Sequence, residues 1–594
     1  MKNILLFAAT LATLIYAFRY QLPQSKEARF EQFISALDEL LQSKDKLSAQ
    51  EAYREARMAY KKLEGEWSYL SNESVQQWIN GAPLPKLVHG IPGNEIREPQ
   101  GLQRLEELVY ETPIDLHEVR RITKLALIHT KEDARYYGEY QMSELQLLEA
   151  AQLQIIRTLS LGITGFDTPA SDRAIAESAV ALHWMYSALQ DGVKKYSWSS
   201  RSYEQAMKLW VQAVDRLSAG ADFESFNRAL YVRESLVPLY RSHVQLRKLY
   251  VERMPSKRSG PTRPFNWDEE FLFSSDLIDS YAFSKLKRED HTASLEALGK
   301  SLFHEVELSL NRNLSCGSCH NPELAFQDGQ TTSFSGRSEQ DIKRNTPTLI
   351  NVAQSPTYLW DNSVKRLEQQ FIHVFRAQDE FNISFLEMEE RLMAKPEYKE
   401  AFAQIFPGSR TSFRARMEAA LSAYLHSLTQ YESKFDAYMA GLDTLTSEEE
   451  LGFNLFMGKA ACATCHFAPT FSGLVPPLFA EMEGEVLGVL DTPVVGDLHI
   501  DDGKYGSSTV NSADFHKYMF KTVGIRNSAR TAPYMHNGAY NTLEDVVAFY
   551  NHGGALGVSI DLPNQTLPGD SLGLTDRESK ALVAFMHTLN SGMD

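Results

Sequence analysis

The sequence predicts a mostly α-helical protein, in which an N-terminal helical bundle is followed by two related domains with long loops. In the N-terminal half, apolar residues such as Phe30, Phe33 and Leu37 recur at the spacing of an amphipathic helix. Beyond residue 265, helical stretches such as 414–442 alternate with loops rich in Gly, Pro and Asn, and strand-like alternation is scarce. The length of 594 residues is enough for about three compact units.

Composition and charge narrow the range of functions. Hydrophobic residues make up 43% of the chain and charged residues 23%, which is typical of a folded globular protein. The formal net charge is −17, and no stripe of Lys and Arg stands out in the sequence. Nucleic acid is therefore not expected among the partners. An acidic surface can attract a basic electron-carrier protein, but it is also the ordinary solvated surface of a globular protein.

The N-terminus has the pattern of an export signal. Lys2 precedes an apolar run over residues 4–18, which has the length of a signal-peptide core and is short for a membrane span. No clear small-residue cleavage site follows, because Ile15 stands two positions before Ala17. Residues 1–22 are therefore assigned to a signal peptide or a membrane anchor. We expect a periplasmic protein, either soluble or tethered to the inner membrane by this segment.

The rest of the chain divides at changes of composition. Residues 25–254 form the predicted bundle, which contains no cysteine. Residues 255–264 are dense in proline and small residues and are expected to form a linker. Two domains follow, at 265–440 and 441–594. Each has a helix rich in Leu and Phe and a Gly-Lys pair ahead of its cysteines, namely Gly299-Lys300 and Gly458-Lys459. This repetition predicts two related domains.

The four cysteines of the chain lie in two Cys-x-x-Cys-His motifs, Cys316, Cys319 and His320 in the first and Cys462, Cys465 and His466 in the second. In such a motif the two thiols can bond the vinyl groups of one haem, and the adjacent imidazole falls under the iron. A thiol redox pair or a zinc site is the alternative, but both pairs carry the trailing histidine and no cysteine is left for a four-cysteine site. The sequence therefore predicts two covalently bound c-type haems in two cytochrome c-like domains.

The residues around these motifs resemble the bacterial dihaem cytochrome c peroxidase and MauG family over roughly residues 290–590. The matching stretches are 298–303 (Leu-Gly-Lys-Ser-Leu-Phe), 316–329, 344–351, Trp360-Asp361, 367–370, 532–538 and 542–547. The resemblance implies a haem-dependent peroxidase that reduces hydrogen peroxide with electrons from a periplasmic donor, such as a small cytochrome c or a cupredoxin. It makes 265–440 the peroxidatic domain and 441–594 the electron-transfer domain, and it favours a homodimer.

The resemblance implies three catalytic residues. A tryptophan of the family lies between the haems, and a glutamine and a glutamate follow at fixed spacing; here these are Trp360, Gln370 and Glu380. A carboxylate above an open coordination site can take the proton from one peroxide oxygen and return it to the other. Without the resemblance, Glu380 would be read as part of a solvated acidic turn and Trp360 as a core aromatic. The chain departs from the family's Gly-Arg after Trp-Asp, where it has Asn362 and Ser363.

Two departures from the classical peroxidases make the two haems unequal. The loop at 332–343 lacks the histidine that commonly blocks the peroxidatic iron, so the first haem is expected to be open at rest. Where the classical peroxidases have a methionine, this chain has Tyr550, as MauG-type enzymes do. The resemblance therefore makes Tyr550 an iron ligand of the second haem, where a phenolate favours high oxidation states. The alternative is an aromatic residue on the buried face of its helix.

The resemblance also assigns roles to the residues around the haems. His536 is expected to hold a haem propionate or its own loop rather than iron. A calcium ion is expected between the haems, held by the side chain of Asn345 and the carbonyls of Thr531 and Pro533, since hard oxygen donors suit Ca²⁺.

Two other functions remain open. The first is MauG-like, peroxide-driven oxidation of a partner protein or small molecule through a high-valent dihaem, which Tyr550 and the 332–343 loop favour. The second is a non-enzymatic electron carrier, with the bundle as its docking module. Within the bundle, Gly101, Gln103 and Glu106 resemble the Gly-x-His-x-x-Glu element of imelysin-like helical domains. Because Gln103 replaces the histidine, a scaffold or docking role is preferred there to metal binding.

Overall fold

The computed structural model describes residues 24–87, 95–193, 201–220, 222–254, 264–335, 342–493, 496–506 and 513–592. The predicted signal or anchor at 1–22, most of the predicted linker and the middle of the 332–343 loop lie outside these residues. The chain divides into two compact units. Unit 1 is Met1–Pro261 with Trp267–Leu272 and Asn454–Pro469, and unit 2 is Thr262–Asn266, Phe273–Phe453 and Thr470–Asp594.

Unit 1 is built from helices. They are α1 (Lys26–Leu41), α2 (Lys46–Lys61), α3 (Glu64–Leu70), α4 (Asn72–Ser74), α5 (Gly101–Tyr110), α6 (Leu116–Tyr137), α7 (Glu144–Arg157), α8 (Ala174–Val193), α9 (Arg201–Ser218), α10 (Arg228–Tyr231) and α11 (Val237–Arg253). Single π-helical stretches follow three of them, at Val75–Ile79, Thr158–Gly162 and Val232–Leu236. The short strands β1 (Lys86–Leu87) and β2 (Ile96–Arg97) pair antiparallel.

Helices are also the main regular structure of unit 2, and long loops connect them. Its helices are α12 (Ala293–Phe303), α13 (Cys316–Cys319), α14 (Leu367–Arg376), α15 (Phe385–Met393), α16 (Pro396–Ile405), α17 (Phe413–Ser427), α18 (Lys434–Met439), α19 (Ser447–Phe456), α20 (Leu543–His552), α21 (Gly554–Gly557) and α22 (Asp576–Thr588). The last residues of α19 belong to unit 1. Strands β3 (Gly484–Val486) and β4 (Met519–Lys521) pair antiparallel, with Gly484 opposite Lys521. The mostly α-helical fold class is confirmed in the part of the chain that the structure describes.

A cluster of large aromatic rings forms the core of the first helices. Trp67 is fully buried, and its ring contacts those of Phe30, Phe33 and Tyr60 at centroid distances of 4.9, 6.0 and 6.1 Å. The indole Nε1 of Trp67 donates to Asp133 on α6 (2.8 Å), so its polar atom is satisfied inside the core. The apolar residues that recur every 3.6 positions in the sequence thus form the buried face of α1, which packs against this cluster.

The two haem motifs are each preceded by a helix that crosses another helix at a glycine. On α12, a Cβ atom added to Gly299 would lie 1.9 Å from the carbonyl oxygen of Ala420 on α17. On α19, a Cβ added to Gly452 would lie 1.9 Å from the carbonyl oxygen of Ala581 on α22. The internal repeat therefore equates Gly299 with Gly452, and the Gly458-Lys459 pairing made from the sequence is wrong.

The segment that carries the second haem motif packs within unit 1. Arg228 lies against Gly458, where an added Cβ would be 2.8 Å from its guanidinium carbon. The ring of Phe166 meets that of Phe467 edge-on at 5.5 Å. The hydroxyl of Ser160 donates to the carbonyl oxygen of Ala468. The N-terminal helices therefore supply part of the surroundings of this motif.

No helix from residue 24 onward, among those that the structure describes, is long and apolar enough to cross a membrane.

Candidate active site

The first haem motif begins on the short helix α13 and ends in a fixed histidine. His320 directly follows this helix, and its Nδ1 is hydrogen-bonded to the carbonyl oxygen of Phe326 (3.1 Å). The turn that presents this carbonyl is closed by the amide of Phe326 donating to Asn321 O (2.8 Å), with Ala325 and Phe326 both at positive φ. A histidine whose Nδ1–H donates to a carbonyl keeps Nε2 as the metal-binding atom. Burial also lowers the pKa of His320, which favours the neutral ring.

The thiols of this motif suit covalent haem attachment. All four cysteines lie in the described part of the chain, and none of them forms a disulfide. Burial raises the pKa of Cys316 to about 12 and that of Cys319 to about 11. Both thiols therefore stay protonated at neutral pH, unlike the low-pKa thiolates of redox-active pairs. Together with the imidazole of His320, this donor set fits a c-type haem.

Glu380 is a partly buried carboxyl group beside this motif. Burial, followed by the negative charge of Asp379, raises the pKa of Glu380 to about 7. The charge of Glu380 in turn contributes to the raised pKa of both Cys316 and Cys319. The glutamate is therefore close enough to the haem attachment point to act electrostatically on it.

Gln370 lies on α14, and Glu380 follows ten residues later in the turn after this helix. Its Oε1 is buried and has no hydrogen-bond partner among the residues that the structure describes. A buried amide oxygen left without a donor loses free energy unless a ligand or water bonds to it. Gln370 therefore has an acceptor free for a bound molecule.

Trp360 is held from two directions. Its indole Nε1 donates to the carbonyl oxygen of Asn345 (2.8 Å), and its own carbonyl accepts from the amide of Lys521 on β4 (2.6 Å). The tight turn around it is closed by Tyr358 N donating to Val364 O (2.7 Å). Through these hydrogen bonds Trp360 connects Asn345, which follows the first motif in the chain, with the two-stranded β3–β4 sheet.

The departure at Asn362 has a structural explanation. Asn362 has a φ of +56°, in the left-handed region where the family's glycine carries no penalty and asparagine is the best-tolerated alternative. Its side chain accepts from Thr357 Oγ1 (2.6 Å) and donates to Glu483 O (3.3 Å). Asn362 therefore keeps the turn and adds hydrogen bonds to it.

Sequence reasoning gave no role to an ion-pair cluster next to Trp360. Arg344 donates to both carboxylate oxygens of Asp501 (2.7 and 2.8 Å) and to Asp361 (2.7 Å). Burial alone would raise the pKa of Asp501, but the hydrogen bonds from Arg344 hold it down to about 2. Arg344 had been noticed only as part of a motif. Asp501 lies 157 residues from it, with no signal of its own in the sequence.

His536 is a buried, neutral histidine. Its ring stacks on Phe520 with centroids 3.6 Å apart and planes 12° apart. Burial lowers its pKa to about 3. Its Nε2 is buried with no hydrogen-bond partner among the described residues. An unmet polar atom of this kind is compatible with the predicted contact to a haem propionate.

The predicted calcium ligands lie on two segments that meet. The amide of Asn345 donates to the carbonyl oxygen of His536 (2.8 Å), which brings it to the loop containing Thr531 and Pro533. The side-chain nitrogen of Asn345 donates to Gln330 O (2.8 Å), which leaves its Oδ1 for other partners. Calcium binding by this set stays a prediction.

The second motif and its predicted tyrosine ligand fall in different units. Cys462–Thr464 forms a 3₁₀ turn, and the amide of His466 donates to Cys462 O (2.9 Å). Burial raises the pKa of Cys462 to about 12, as it does for Cys316. In unit 2, Tyr550 lies on α20 with its ring edge-on to Phe549 at 5.5 Å. Ligation of one iron by His466 and Tyr550 stays a prediction.

In the N-terminal helices, α5 carries Gly101, Gln103 and Glu106, and Gln103 belongs to a buried network of polar side chains. The side chain of Gln103 donates to Asp167 Oδ1 (3.1 Å), and Lys61 donates to the other carboxylate oxygen of Asp167 (2.5 Å). Burial raises the pKa of Glu106 to about 7. Gln103 thus takes part in a buried hydrogen-bond network, and the resemblance to imelysin-like domains stays a prediction.

Comparisons with known proteins match the C-terminal half. The model of the di-haem cytochrome c peroxidase family matches residues 293–444. Methylamine utilization protein MauG of Methylorubrum extorquens is 33% identical over 297 residues, which are 50% of this chain and 78% of that protein. Cytochrome-c peroxidase IdrP1 of Denitromonas iodatirespirans is 35% identical over 317 residues, covering 50% of this chain and 82% of that protein. Cytochrome c551 peroxidase of Pseudomonas aeruginosa is 30% identical over 296 residues, covering 49% and 78%.

These relatives are matched over most of their own length, and the two cysteine motifs have the donors that c-type haems require. The chain therefore belongs to the dihaem cytochrome c peroxidase and MauG family and is a haem-dependent peroxidase with two c-type haems.

Proposed function

We propose that the protein reduces hydrogen peroxide at the Cys316 haem with electrons from a periplasmic donor protein, such as a small cytochrome c or a cupredoxin. The observation that carries this proposal is Glu380, a partly buried carboxyl beside the first motif whose pKa is raised by desolvation to about 7. His320 would hold the iron of a bound haem, and that haem would supply the redox centre for peroxide cleavage. Two electrons and two protons convert one peroxide into two waters.

Glu380 moves the proton during this reaction. Its ionised carboxylate takes the proton from the peroxide oxygen nearer the iron, and the resulting carboxyl gives it to the other oxygen, which leaves as water. A pKa near neutrality suits both halves of this transfer, since neither form is strongly disfavoured. Gln370 orients the peroxide by accepting a hydrogen bond at its unpartnered Oε1.

Trp360 passes electrons between the two haems. Its hydrogen bonds to Asn345 and to the amide of Lys521 on β4 fix the indole between the first motif's domain and the hairpin. In this proposal His466 and Tyr550 bind the second iron, and His536 binds a propionate. Asn345, Thr531 and Pro533 hold calcium.

The decisive experiment is Glu380→Gln, which keeps the size of the side chain and removes its proton-transfer chemistry. We expect the rate of reaction with peroxide to fall by about 10²–10⁴-fold at unchanged haem content, measured by stopped-flow absorbance. The matched control is Asp379→Asn, which removes the neighbouring exposed carboxylate and should keep most of the activity. Unchanged peroxide reactivity in Glu380→Gln would refute the assignment.

MauG-like oxidation of a partner protein or small molecule is the second candidate. Tyr550 at the methionine position and the absence of histidine from the 332–343 loop favour it. Fast steady turnover with reduced cytochrome c supports the peroxidase. Slow turnover with a long-lived two-electron-oxidised protein supports the MauG-like reaction instead.

The proposal extends to location and assembly. The apolar segment at 4–18 supports export to the periplasm, with or without an anchor, and cell fractionation tests it. The N-terminal helices act as a scaffold or a docking module of imelysin-like type. Homodimer formation is tested by light scattering on the haem-loaded protein.

A further inference from the structure

Lys521 ends β4 with its ammonium group bound to the segment that leads into Trp360. Its Nζ donates to Ser355 Oγ (2.6 Å) and to Thr357 O (2.7 Å). Its backbone amide donates to the carbonyl oxygen of Trp360 (2.6 Å). Both ends of this lysine therefore hold the turn that carries the indole.

The two acceptors of this ammonium are a hydroxyl and a carbonyl, neither of which carries charge. Part of the side chain remains accessible, but its charged end is enclosed, and burial lowers the pKa of Lys521 to about 7. Desolvation is the cause of this shift, and an enclosed ammonium without a carboxylate partner is expected to lose its proton readily.

The charges around this site are engaged with other groups. On the Trp360 turn, Asp361 is paired with Arg344, which also binds Asp501. Toward Tyr358, Glu368 accepts from Ser284 Oγ and Ser422 Oγ. On the hairpin side, Glu483 and Lys504 attract each other, and Lys365 acts on Lys504. Burial is the cause of the lowered pKa of Lys521, and the charge on Nζ acts on the turn to which it is hydrogen-bonded.

We propose that Lys521 is a positioning residue for electron transfer: the charge on its amine sets the rate at which Trp360 passes electrons between the two haems. The inference rests on the proposed function, in which Trp360 is the relay. One electron leaves the second haem and one arrives at the first, and no bond is formed. Hydrogen peroxide, the oxidant of the proposed function, draws this electron, and the indole that relays it is transiently electron-deficient. An ammonium on the turn that carries the indole therefore opposes the transfer, and a neutral amine does not.

The test uses the haem-loaded full chain with its second haem reduced. It measures the rate of electron transfer from the second haem to the first after the protein has reacted with hydrogen peroxide. In the wild type this rate should rise by about tenfold or more between pH 6 and pH 8. Lys521→Arg keeps its charge throughout, so its rate should stay at the low-pH level of the wild type. Lys521→Met has no charge to lose, and its rate should be independent of pH. The midpoint potentials of both haems should not change in either variant.

The outcomes separate this inference from the function on which it rests. A wild type without pH dependence, or a dependence that persists in Lys521→Met, overturns the role of Lys521. Trp360→Phe should be slow at every pH. If electron transfer in Trp360→Phe is as fast as in the wild type, Trp360 is not the relay. If it is slow in Trp360→Phe, but the rates in the Lys521 variants depend on pH as in the wild type, only the inference about Lys521 fails.

Discussion

Glu380 owes its chemistry to where its side chain lies. Burial is the first cause of its raised pKa of about 7, and the charge of Asp379 is the second. An exposed glutamate, with a pKa near 4.3, would be fully ionised at neutral pH and a poor proton donor. Because burial creates this property, the type of residue and its position in the sequence do not reveal it.

The pH dependence of the peroxide reaction follows from this pKa. The ionised form of Glu380 accepts the first proton, so the rate should rise with pH and level off above about 7. Asp379→Asn removes a negative charge that raises this pKa, so the midpoint should move to lower pH. Stopped-flow rates between pH 5 and pH 9 measure both curves. Identical midpoints in the two proteins would mean that another group titrates.

Stability should depend on the same group. The pKa of Glu380 in the folded protein is raised above its unfolded value, so its contribution to the free energy of unfolding decreases as pH rises between about 4.5 and about 7. Glu380→Gln, which does not ionise, should then be more stable than the wild type at pH 8 by about 1–3 kcal/mol, with no difference near pH 4. Urea unfolding at the two pH values measures this. A variant that is less stable at pH 8 would contradict the burial of a charged carboxylate.

For single residues, the sequence predicts which side chains belong to the site better than it predicts their hydrogen-bond partners. Trp360, Gln370 and Glu380 were found because they stand at fixed spacing in a motif. The bond from Arg344 to Asp501 was missed, because it joins positions 157 residues apart and a lone aspartate in a loop has no pattern. The ammonium of Lys521 on the Trp360 segment was missed for the same reason.

Helices α12 and α19 are alike in how closely they approach a second helix. Gly299 and Gly452 each face a carbonyl oxygen at a distance that excludes a side chain. Periodicity predicts that such helices exist, since the spacing of apolar residues fixes their buried face. It does not identify which glycine is at the crossing, and Gly458 was chosen wrongly because Lys459 follows it as Lys300 follows Gly299. Contact with a distant helix, rather than the local sequence, distinguishes them.

Gly299→Ala tests this close approach. The added methyl group would overlap the carbonyl of Ala420, so the helices must separate. Although alanine favours a helix by about 1 kcal/mol over glycine, we expect a net loss of stability of about 1–3 kcal/mol. Chemical denaturation followed by circular dichroism measures it. Ser301→Ala, at an exposed position of the same helix, is the control and should change stability by less than about 0.5 kcal/mol. Equal stability of the two variants would show that the crossing can relax.

At the scale of the whole molecule, position along the chain does not alone determine the unit to which a segment belongs. Residues 454–469, with the second haem motif, pack with the N-terminal helices rather than with unit 2. The linker-like sequence at 255–264 gave no hint of this, because composition reports only local chain character. The N-terminal half therefore has a physical connection to one haem, although the relatives described above match only about half of the chain.

Phe166→Ala should affect the two haems differently. The ring of Phe166 covers Phe467, the residue after His466, and its loss would admit water next to the second motif. Solvent exposure and polarity tune haem potentials, so the midpoint potential of the second haem should shift while the peroxide reaction at the first stays unchanged. Redox titration of the two haems measures this. Equal shifts at both haems, or none, would contradict a specific role for the contact.

The place of residues 454–469 also governs the order in which the protein can be completed during synthesis. Roughly 200 residues separate the last N-terminal helix, which ends at Arg253, from Asn454. When the N-terminal helices of unit 1 begin to fold, the surface that packs against residues 454–469 is still uncovered. It stays uncovered until ribosomes have synthesised the chain up to these residues, which includes much of unit 2. Contacts over so long a separation form slowly, so this surface is where a nascent chain would bind a chaperone or aggregate.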